Sequence, residues 1–266
     1  MKIDPTARVA ADVELAAGVE IGPGVLIEGP TKIGAGTRIQ AHAYIGPYTT
    51  IGEQNLISFG AVIGHEPQDY AFKGEPSYTI IGNHNIIREY VTIHRGTVPG
   101  SATRVGDHNF LMALSHMAHN AAVGNHVIVI NGALIGGYVE VQDRALISGN
   151  CVIHQFCRVG RLAMMRGGSR ASRDIPPFCI SDWEHTVRAL NLVGLKRAGF
   201  DRERLAALKK AFRLLFQRRV NLKEALVQVE AEVPMTEDVR YLLDFIRQSK
   251  RGVAMGPKTA AAGDDL

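Results

Sequence analysis

Residues 123–165 read VGNHVIVINGALIGGYVEVQDRALISGNCVIHQFCRVGRLAMM, and every sixth residue of this stretch is aliphatic or methionine. The same phase extends back to Ile3, and 25 of its 28 steps carry such a residue. A repeat of fixed period indicates an architecture built by stacking one small unit. The three exceptions are Asp69, Glu75 and Pro99.

Each six-residue unit is predicted to be a short strand followed by a corner. A small or branched residue lies two positions before each inward residue, as alternation along a strand requires. Glycine often follows the inward residue, as a tight corner requires. Three units close a triangular coil, and successive coils stack as parallel strands about 4.8 Å apart. The fold class is therefore mainly β, a parallel β-helix of hexapeptide repeats, and a helix is excluded because the period does not match.

The exceptions to the repeat predict where the chain leaves the β-helix. We assign residues 1–177 to the β-helix, with loops at 65–78 and 96–103. Departures from a regular scaffold are favoured places for function.

The repeat stops near residue 177, and amphipathic patterns replace it. Residues 178–252 are predicted to form an α-helical C-terminal domain, with Asp201 and Thr236 as N-caps and Gly199 as a helix stop. Residues 253–266 lack an apolar pattern and are predicted to be a disordered tail.

The composition narrows the class of protein. Thirty basic and 26 acidic residues leave a net charge of +4, too mild to indicate a nucleic-acid partner. Three cysteines without a CxxC pair argue against a disulfide framework. The N-terminal residues lack a signal-peptide pattern, and no apolar run approaches the roughly 18 residues of a membrane span. We expect a cytoplasmic protein with no membrane span.

His119 is the strongest catalytic candidate that the repeat identifies. It lies one coil before Gly137, so stacking predicts an imidazole beside a glycine backbone about 4.8 Å away. An imidazole can take a proton from an attacking hydroxyl, and a backbone N–H can hold a developing oxyanion, which suits acyl transfer. The same step stacks His154 on Gly136, and His116 lies on the strand that precedes His119.

Two other interpretations of the histidines stay open. Corner histidines are often only solvated surface residues, which is our interpretation of His42, His84, His108 and His126. A zinc hydratase built on hexapeptide repeats is the other alternative, since three histidines can hold zinc. Its ligands would be His116, His119 and His154, but the first two lie on different phases and should diverge, so no metal is expected.

Motifs outside the bare repeat carry a specific resemblance. Together they resemble the family of UDP-N-acetylglucosamine O-acyltransferases that begin lipid A synthesis, over nearly the whole chain. The resemblance implies a left-handed β-helix and transfer of a 3-hydroxyacyl group from acyl carrier protein to the 3-position of a UDP-amino sugar, without a cofactor. It also implies a homotrimer with each site between two subunits. The motifs are PQD (67–69), GEP (74–76), TIHRGT (92–97), SHMAHN (115–120), IHQFC (153–157), DIPPF (174–178) and NLVGLKRAGF (191–200).

The resemblance also implies roles for individual residues. His119 matches the family's general base, and Gly137 matches its oxyanion-hole glycine. Gly167 matches the position that sets acyl-chain length. The residues matched to substrate binding are Asp69, His116, His154, Gln155, Asn191 and Arg197.

Some residues near this site depart from the family's pattern. Asn120 stands where the family has an acid after the catalytic histidine, and Tyr138 stands where it has another histidine. An amide cannot stabilise an imidazolium as a carboxylate does. Ala71 and Arg166 also differ from the usual lysine and glycine. The departures leave two alternatives: an acyltransferase with a different acceptor, such as a 3-amino sugar, or a different donor; and a binding homologue with weakened catalysis.

Basic residues gather late in the predicted β-helix. They include Arg158, Arg161, Arg166, Arg170 and Arg173. Acyl carrier proteins are acidic, so we expect these arginines to form a rim that steers docking.

Overall fold

The computed structural model describes residues 1–218 and 220–257, in which short strands alternate with corners. The strands are β1 (Lys2–Ile3), β2 (Arg8–Val9), β3 (Val13–Leu15), β4 (Glu20–Ile21), β5 (Leu26–Ile27), β6 (Thr31–Ile33), β7 (Arg38–Ile39), β8 (Tyr44–Ile45), β9 (Thr49–Ile51), β10 (Leu56–Ile57), β11 (Val62–His65), β12 (Tyr78–Ile81), β13 (Ile86–Ile87), β14 (Thr92–His94), β15 (Ala102–Val105), β16 (Phe110–Leu111), β17 (His116–Met117), β18 (Ala122–Val123), β19 (Ile128–Val129), β20 (Leu134–Ile135), β21 (Glu140–Val141), β22 (Leu146–Ile147), β23 (Val152–Ile153), β24 (Arg158–Val159), β25 (Met164–Met165), β26 (Arg170–Ala171), β27 (Cys179–Asp182) and β28 (Thr186–Leu190).

The strands form three long sheets, because each strand of the β-helix pairs with the strand three places further along the chain. The first sheet runs from β1 through β4 and β7 to β25 and β27, and the second runs from β2 to β26. The third runs from β3 to β24. Pairing is parallel up to β27, which then pairs antiparallel with β28. The chain is therefore a parallel β-helix with three faces and three corners per coil.

The coils form a three-sided prism, and its interior holds the aliphatic residues of the six-residue repeat. From Ile21 to Met165, every aliphatic or methionine residue at a repeat position is at most 4 % exposed. Ile3, Val9 and Leu15 are more exposed because they lie at the N-terminal mouth, where no further coil covers them. Close packing of these side chains along the axis is the main stabilisation of the coil.

A column of buried asparagines satisfies corner amides along the prism. The amide oxygen of Asn55 accepts the backbone N–H of Asn85, that of Asn85 accepts the N–H of Asn109, and that of Asn109 accepts the N–H of Val127. The distances are 2.7–2.9 Å. Buried backbone donors require such partners, so the column fixes successive corners in register.

Two segments leave the prism between strands. Residues 66–77 separate β11 from β12, and residues 95–101 separate β14 from β15. They lengthen the coils that contain them. Ile63 pairs with Ile93 and Ile93 pairs with Met117, so paired residues lie 30 and 24 positions apart instead of 18.

Helices follow the last strand and begin at Leu192, whereas the sequence predicts a helical domain from residue 178; residues 179–182 and 186–190 form strands β27 and β28 instead. They are α1 (Leu192–Arg197), α2 (Arg202–Phe212), a π-helical segment (Arg213–Gln217), α3 (Leu222–Glu232) and α4 (Glu237–Arg247). Asp201 caps α2 through Arg204 N–H at 2.8 Å, and Thr236 caps α4 through Val239 N–H at 3.3 Å, as predicted. Gly199 follows α1 with a φ of +84°, which confirms it as the stop.

Arginines of the last coils hold these helices against the prism. Arg161 and Arg204 both bind the buried carboxylate of Asp238 at the start of α4, and Arg158 binds Asp174 and the Phe245 carbonyl. The predicted docking rim is therefore wrong for Arg158 and Arg161, because their guanidinium groups are committed to contacts within the chain.

The predicted disordered tail begins too early. Val253 and Ala254 are buried, Val253 forms a bridge to Asp174, and Met255 forms one to Thr186. These backbone contacts hold residues 253–255 against the fold, so the predicted tail does not begin at residue 253. The rest of the predicted tail, 258–266, lies outside the described residues.

Candidate active site

His119 and Gly137 lie on adjacent coils at the corner that joins the second sheet to the third. Ala118 N–H donates to Ile135 O, and Tyr138 N–H donates to His119 O, so the two backbones are in register. His119 is buried, and its imidazole lies over the glycine. A Cβ added to Gly137 would lie 2.7 Å from His119 Cε1 and 2.8 Å from Nε2. Only a residue without a side chain leaves room for the imidazole here.

Asn120 fixes the orientation of the His119 ring. Its Oδ1 accepts the backbone N–H of Thr97 at 3.0 Å and lies 3.1 Å from His119 Nδ1. Since Thr97 N–H identifies this atom as the acceptor, Nδ1 of His119 must carry the proton. In its neutral form the ring therefore carries its lone pair on Nε2, where it can accept a proton.

Asp69 faces the same ring from the segment 66–77. Its Oδ2 lies 3.5 Å from His119 Nε2, and its Oδ1 accepts Ala71 N–H at 3.0 Å. The hydrogen bond from Ala71 N–H lowers the pKa of Asp69 most, and a protonated His119, Thr97 and Lys73 each lower it further, so the carboxylate is ionised at neutral pH.

A row of histidines on the second sheet approaches this corner. The rings of His94 and His116 meet edge to face at 4.8 Å, and His116 Nδ1 shares a hydrogen bond of 2.7 Å with Thr92 Oγ1. Burial, and after it the nearness of His119, lowers the pKa of His116. The ring contacts of the two histidines differ, because His116 meets His94 whereas His119 meets Tyr138.

Sequence reasoning missed His94. This residue is buried beside His116, and burial is the main reason why its pKa falls to about 4. The ring is therefore neutral at physiological pH and can serve as a hydrogen-bonding group beside the site. His94 is part of the motif TIHRGT, but counting in coils of 18 residues does not place it beside His116, because the coil between them is longer.

Replacing His94 with glutamine is expected to flatten the pH dependence of the free energy of unfolding below pH 6.5. The folded protein keeps the pKa of His94 at about 4, whereas the unfolded chain takes up the proton near the ordinary value of 6.5. The unfolded state thus binds more protons in this window, and wild-type stability falls as the pH drops from 6.5 to about 4. Urea unfolding at a series of pH values measures the slope. The control is His84→Gln, since that ring is exposed; an equal slope in wild type and His94→Gln would contradict the prediction.

The next coil extends the same corner with exposed groups. His154 and Gln155 follow β23, and the backbone from Ile153 to Gln155 lies against Gly136, as the predicted stacking requires. Tyr138 stacks on Phe156 with ring centroids 4.9 Å apart and meets His119 edge to face at 5.5 Å. An aromatic surface therefore borders the catalytic candidate.

The remaining predicted site residues lie at other corners of the same chain. Asn191 caps α1 and donates to Leu162 O, at the corner between the third and first sheets. Arg197 is exposed beside it, lining a groove of about 480 Å³. Gly167 lies at the corner between the first and second sheets. One chain therefore brings together His119, Asp69 and their neighbours, but not these three residues.

Comparison with known proteins decides the family. A family model described as UDP N-acetylglucosamine O-acyltransferase, domain 2, matches residues 174–254, and a bacterial transferase hexapeptide model matches residues 30–65. The acyl-[acyl-carrier-protein]–UDP-N-acetylglucosamine O-acyltransferase of Gloeothece citriformis is 45% identical over 202 residues, 76% of this chain and 73% of the relative. The chain belongs to this family. The O-acyltransferase class predicted from the motifs is thereby confirmed.

Solved structures show the same architecture for the enzyme. The UDP-N-acetylglucosamine acyltransferase of Bacteroides fragilis superposes with a TM-score of 0.91 at 43% identity, covering 94% of this chain and 99% of that one. The acyltransferase of Francisella novicida gives a TM-score of 0.91 at 33% identity, covering 99% and 100%. The prediction of a left-handed parallel β-helix followed by a helical region is confirmed.

Two further observations bear on the alternative functions. In residues 1–218 and 220–257, no group of three or more histidine, cysteine, aspartate or glutamate side chains is arranged to hold a metal ion. The zinc hydratase alternative therefore has no ligand set within this part of the enzyme. The helices described for the chain are all too short or too polar to cross a bilayer.

Proposed function

We propose that the enzyme transfers a 3-hydroxyacyl group from acyl carrier protein to the 3-hydroxyl of UDP-N-acetylglucosamine, with His119 as general base and Gly137 N–H as oxyanion donor. The observation that carries the proposal is the buried imidazole lying over the glycine, with Nε2 2.8 Å from the place of a Cβ. A base and an oxyanion donor at one point are what acyl transfer requires.

The chemistry follows from this arrangement. Nε2 of His119 takes the proton of the sugar 3-hydroxyl while its oxygen forms a bond to the thioester carbonyl carbon. The carbonyl electron pair moves to the oxygen, which Gly137 N–H binds. Collapse of this intermediate breaks the carbon–sulfur bond, and the departing thiolate of the carrier takes the proton from His119. The ester and the free thiol are the products.

Gly137 has an amide free for this role. Its neighbours Gly136 and Tyr138 donate their N–H groups to backbone carbonyls, but among the described residues no backbone carbonyl accepts Gly137 N–H. An amide at a buried corner that is not committed to the coil can bind a developing oxyanion.

We also propose that the enzyme works as a homotrimer in which a second subunit completes the site. His119 lies at one corner of the prism, and Asn191 and Arg197 lie at another, so one chain cannot direct all three at one sugar nucleotide. Packing prisms side by side would bring one subunit's His119 corner against another's Arg197 corner and enclose an otherwise open site. The role of Gly167 beside the acyl chain is a separate part of the proposal, and it is supported by the room at this position, where a Cβ would meet only Gly149 O at 3.6 Å.

An acyl-transfer assay tests the proposal and its alternatives together. Purified enzyme is mixed with 3-hydroxyacyl carrier protein and either UDP-N-acetylglucosamine or its 3-amino analogue. We expect turnover with UDP-N-acetylglucosamine. Transfer to the amino analogue alone would favour a different acceptor, which the uncharged Asn120 beside His119 makes the main rival, because an amine needs less help from a base. Absence of transfer to both, even in a single turnover, would favour the weakened binding homologue.

A further inference from the structure

We propose that Asp69 supplies the negative charge that stabilises the His119 imidazolium, a task that Asn120 cannot perform. The inference rests on the proposed function, because it concerns the base of that reaction. It divides between two residues what a single acid beside the histidine would do: Asn120 orients the ring, and Asp69 provides the charge.

Asn120 has the geometry for orientation alone. Its Oδ1 is held by Thr97 N–H, and its own backbone N–H donates to Thr103 Oγ1 at 2.8 Å. The amide is thus locked with its oxygen toward His119 Nδ1. In a serine-protease triad an amide costs about 10⁴ in rate through the wrong tautomer. Here the tautomer is correct, so the missing contribution is charge.

Asp69 has the position and the charge that are missing. Its Oδ2 lies 3.5 Å from Nε2, which is an ion-pair distance rather than a good hydrogen bond. The carboxylate can therefore attract a protonated ring while the lone pair of Nε2 stays available to a hydroxyl. The Ala71 amide holds the carboxylate, whose side chain is only 31% exposed.

The other groups around His119 do not provide this charge. His94 and His116 lie on the strands of the second sheet that lead to this corner, and an imidazole brings positive charge or none. Tyr138, on the next coil, meets the imidazole edge to face and carries no carboxylate. Lys73, on the same segment as Asp69, is the cation whose charge acts on that carboxylate. Within the described chain, Asp69 is the carboxylate that forms an ion pair with His119.

Asp69 takes no proton in the step. The sugar hydroxyl proton moves to His119 Nε2, stays there while the tetrahedral intermediate exists, and leaves on the carrier thiol. The carboxylate remains ionised throughout and lowers the free energy of the imidazolium by attraction across 3.5 Å. It is a positioning residue in this respect, since it acts through His119.

A double-mutant cycle tests the inference. Asp69→Asn is expected to lower kcat about tenfold or more and to move the acidic limb of the kcat/KM profile to lower pH by about one unit, because a nearby carboxylate favours the charged ring. Asn120→Asp in the same chain should restore kcat and move the limb back, since it returns a carboxylate to the ring. Glu75→Gln, which removes a carboxylate from the same segment without contact to His119, is the matched control and should behave as wild type.

Separate outcomes decide the inference and the proposed function. If Asp69→Asn raises only KM, leaves the acidic limb of the kcat/KM profile unmoved and is not rescued by Asn120→Asp, the inference is overturned. The proposed function then stays intact. Should wild type fail to turn over, the proposed function fails. NMR titration of the His119 ring would then still decide the inference, because loss of the Asp69 carboxylate should lower the pH at which the ring takes up its proton. An unmoved titration would overturn it.

Discussion

His119→Gln is expected to lower kcat/KM for acyl transfer by about 10²–10⁴-fold, the range that general-base catalysis contributes. Glutamine can fill much of the buried space over Gly137 and can still meet Asn120, but it cannot take a proton from the sugar hydroxyl. Steady-state kinetics with 3-hydroxyacyl carrier protein and UDP-N-acetylglucosamine measure the loss. His119→Ala should fall equally far, because both variants lack the base.

The matched control is His42→Gln, which removes an exposed histidine at the corner between the first and second sheets, where its ring meets Phe59 edge to face. It should keep wild-type activity. Binding of UDP-N-acetylglucosamine to His119→Gln, measured by calorimetry, should change little, since proton transfer belongs to the transition state. Activity of His119→Gln within tenfold of wild type would show that another group is the base.

The sequence predicts the β-helix and its His119 corner well, because the residues that repeat every six positions are the same residues that pack in the interior. Every inward residue from Ile21 onward is where the six-residue phase places it. Uninterrupted coils are of constant length, so His119 and Gly137 could be paired by counting alone. The same counting places His154 beside Gly136.

Counting fails wherever a segment changes the length of a coil. Ile63 pairs with Ile93 and Ile93 with Met117, steps of thirty and twenty-four residues instead of eighteen. These longer steps pair Thr92 with His116 and bring the His94 ring edge to face against that of His116, which no constant period could indicate. The contact between Asp69 and His119 was even harder to predict from the spacing, because the irregular segment that holds Asp69 has no strand register relating it to His119.

Beyond the repeat, prediction depends on local chemistry. N-caps at Asp201 and Thr236 were predictable, since each forms a bond within its own first turn. The contacts that commit Arg158 and Arg161 were not, because Asp238 is distant in sequence and its carboxylate reaches them only in the folded chain. Val253 and Ala254 likewise become buried through long-range pairing, without a local apolar pattern.

Gly137→Ala is expected to lower kcat about 10²-fold or more while leaving the fold intact. The new Cβ would meet His119 Cε1 at 2.7 Å and Nε2 at 2.8 Å, so the imidazole must turn away. A shift of about 1 Å in a catalytic group can cost about 10² in rate. The backbone there does not need a positive φ, and the atoms in the way belong to a side chain, so the coil itself can accept alanine. Gly149→Ala is the control, because its Cβ would meet nothing closer than 3.4 Å.

The double variant Gly137→Ala with His119→Ala separates the two ways in which the methyl group could act. With the imidazole absent there is nothing left for the methyl group to displace, so a purely steric effect predicts the same kcat as His119→Ala alone. A further fall in kcat would mean that alanine also disturbs the N–H that binds the oxyanion. Gly137→Ala with wild-type kcat and an undisturbed fold would contradict the close contact between the ring and the glycine, and with it the assignment of this corner as the catalytic one.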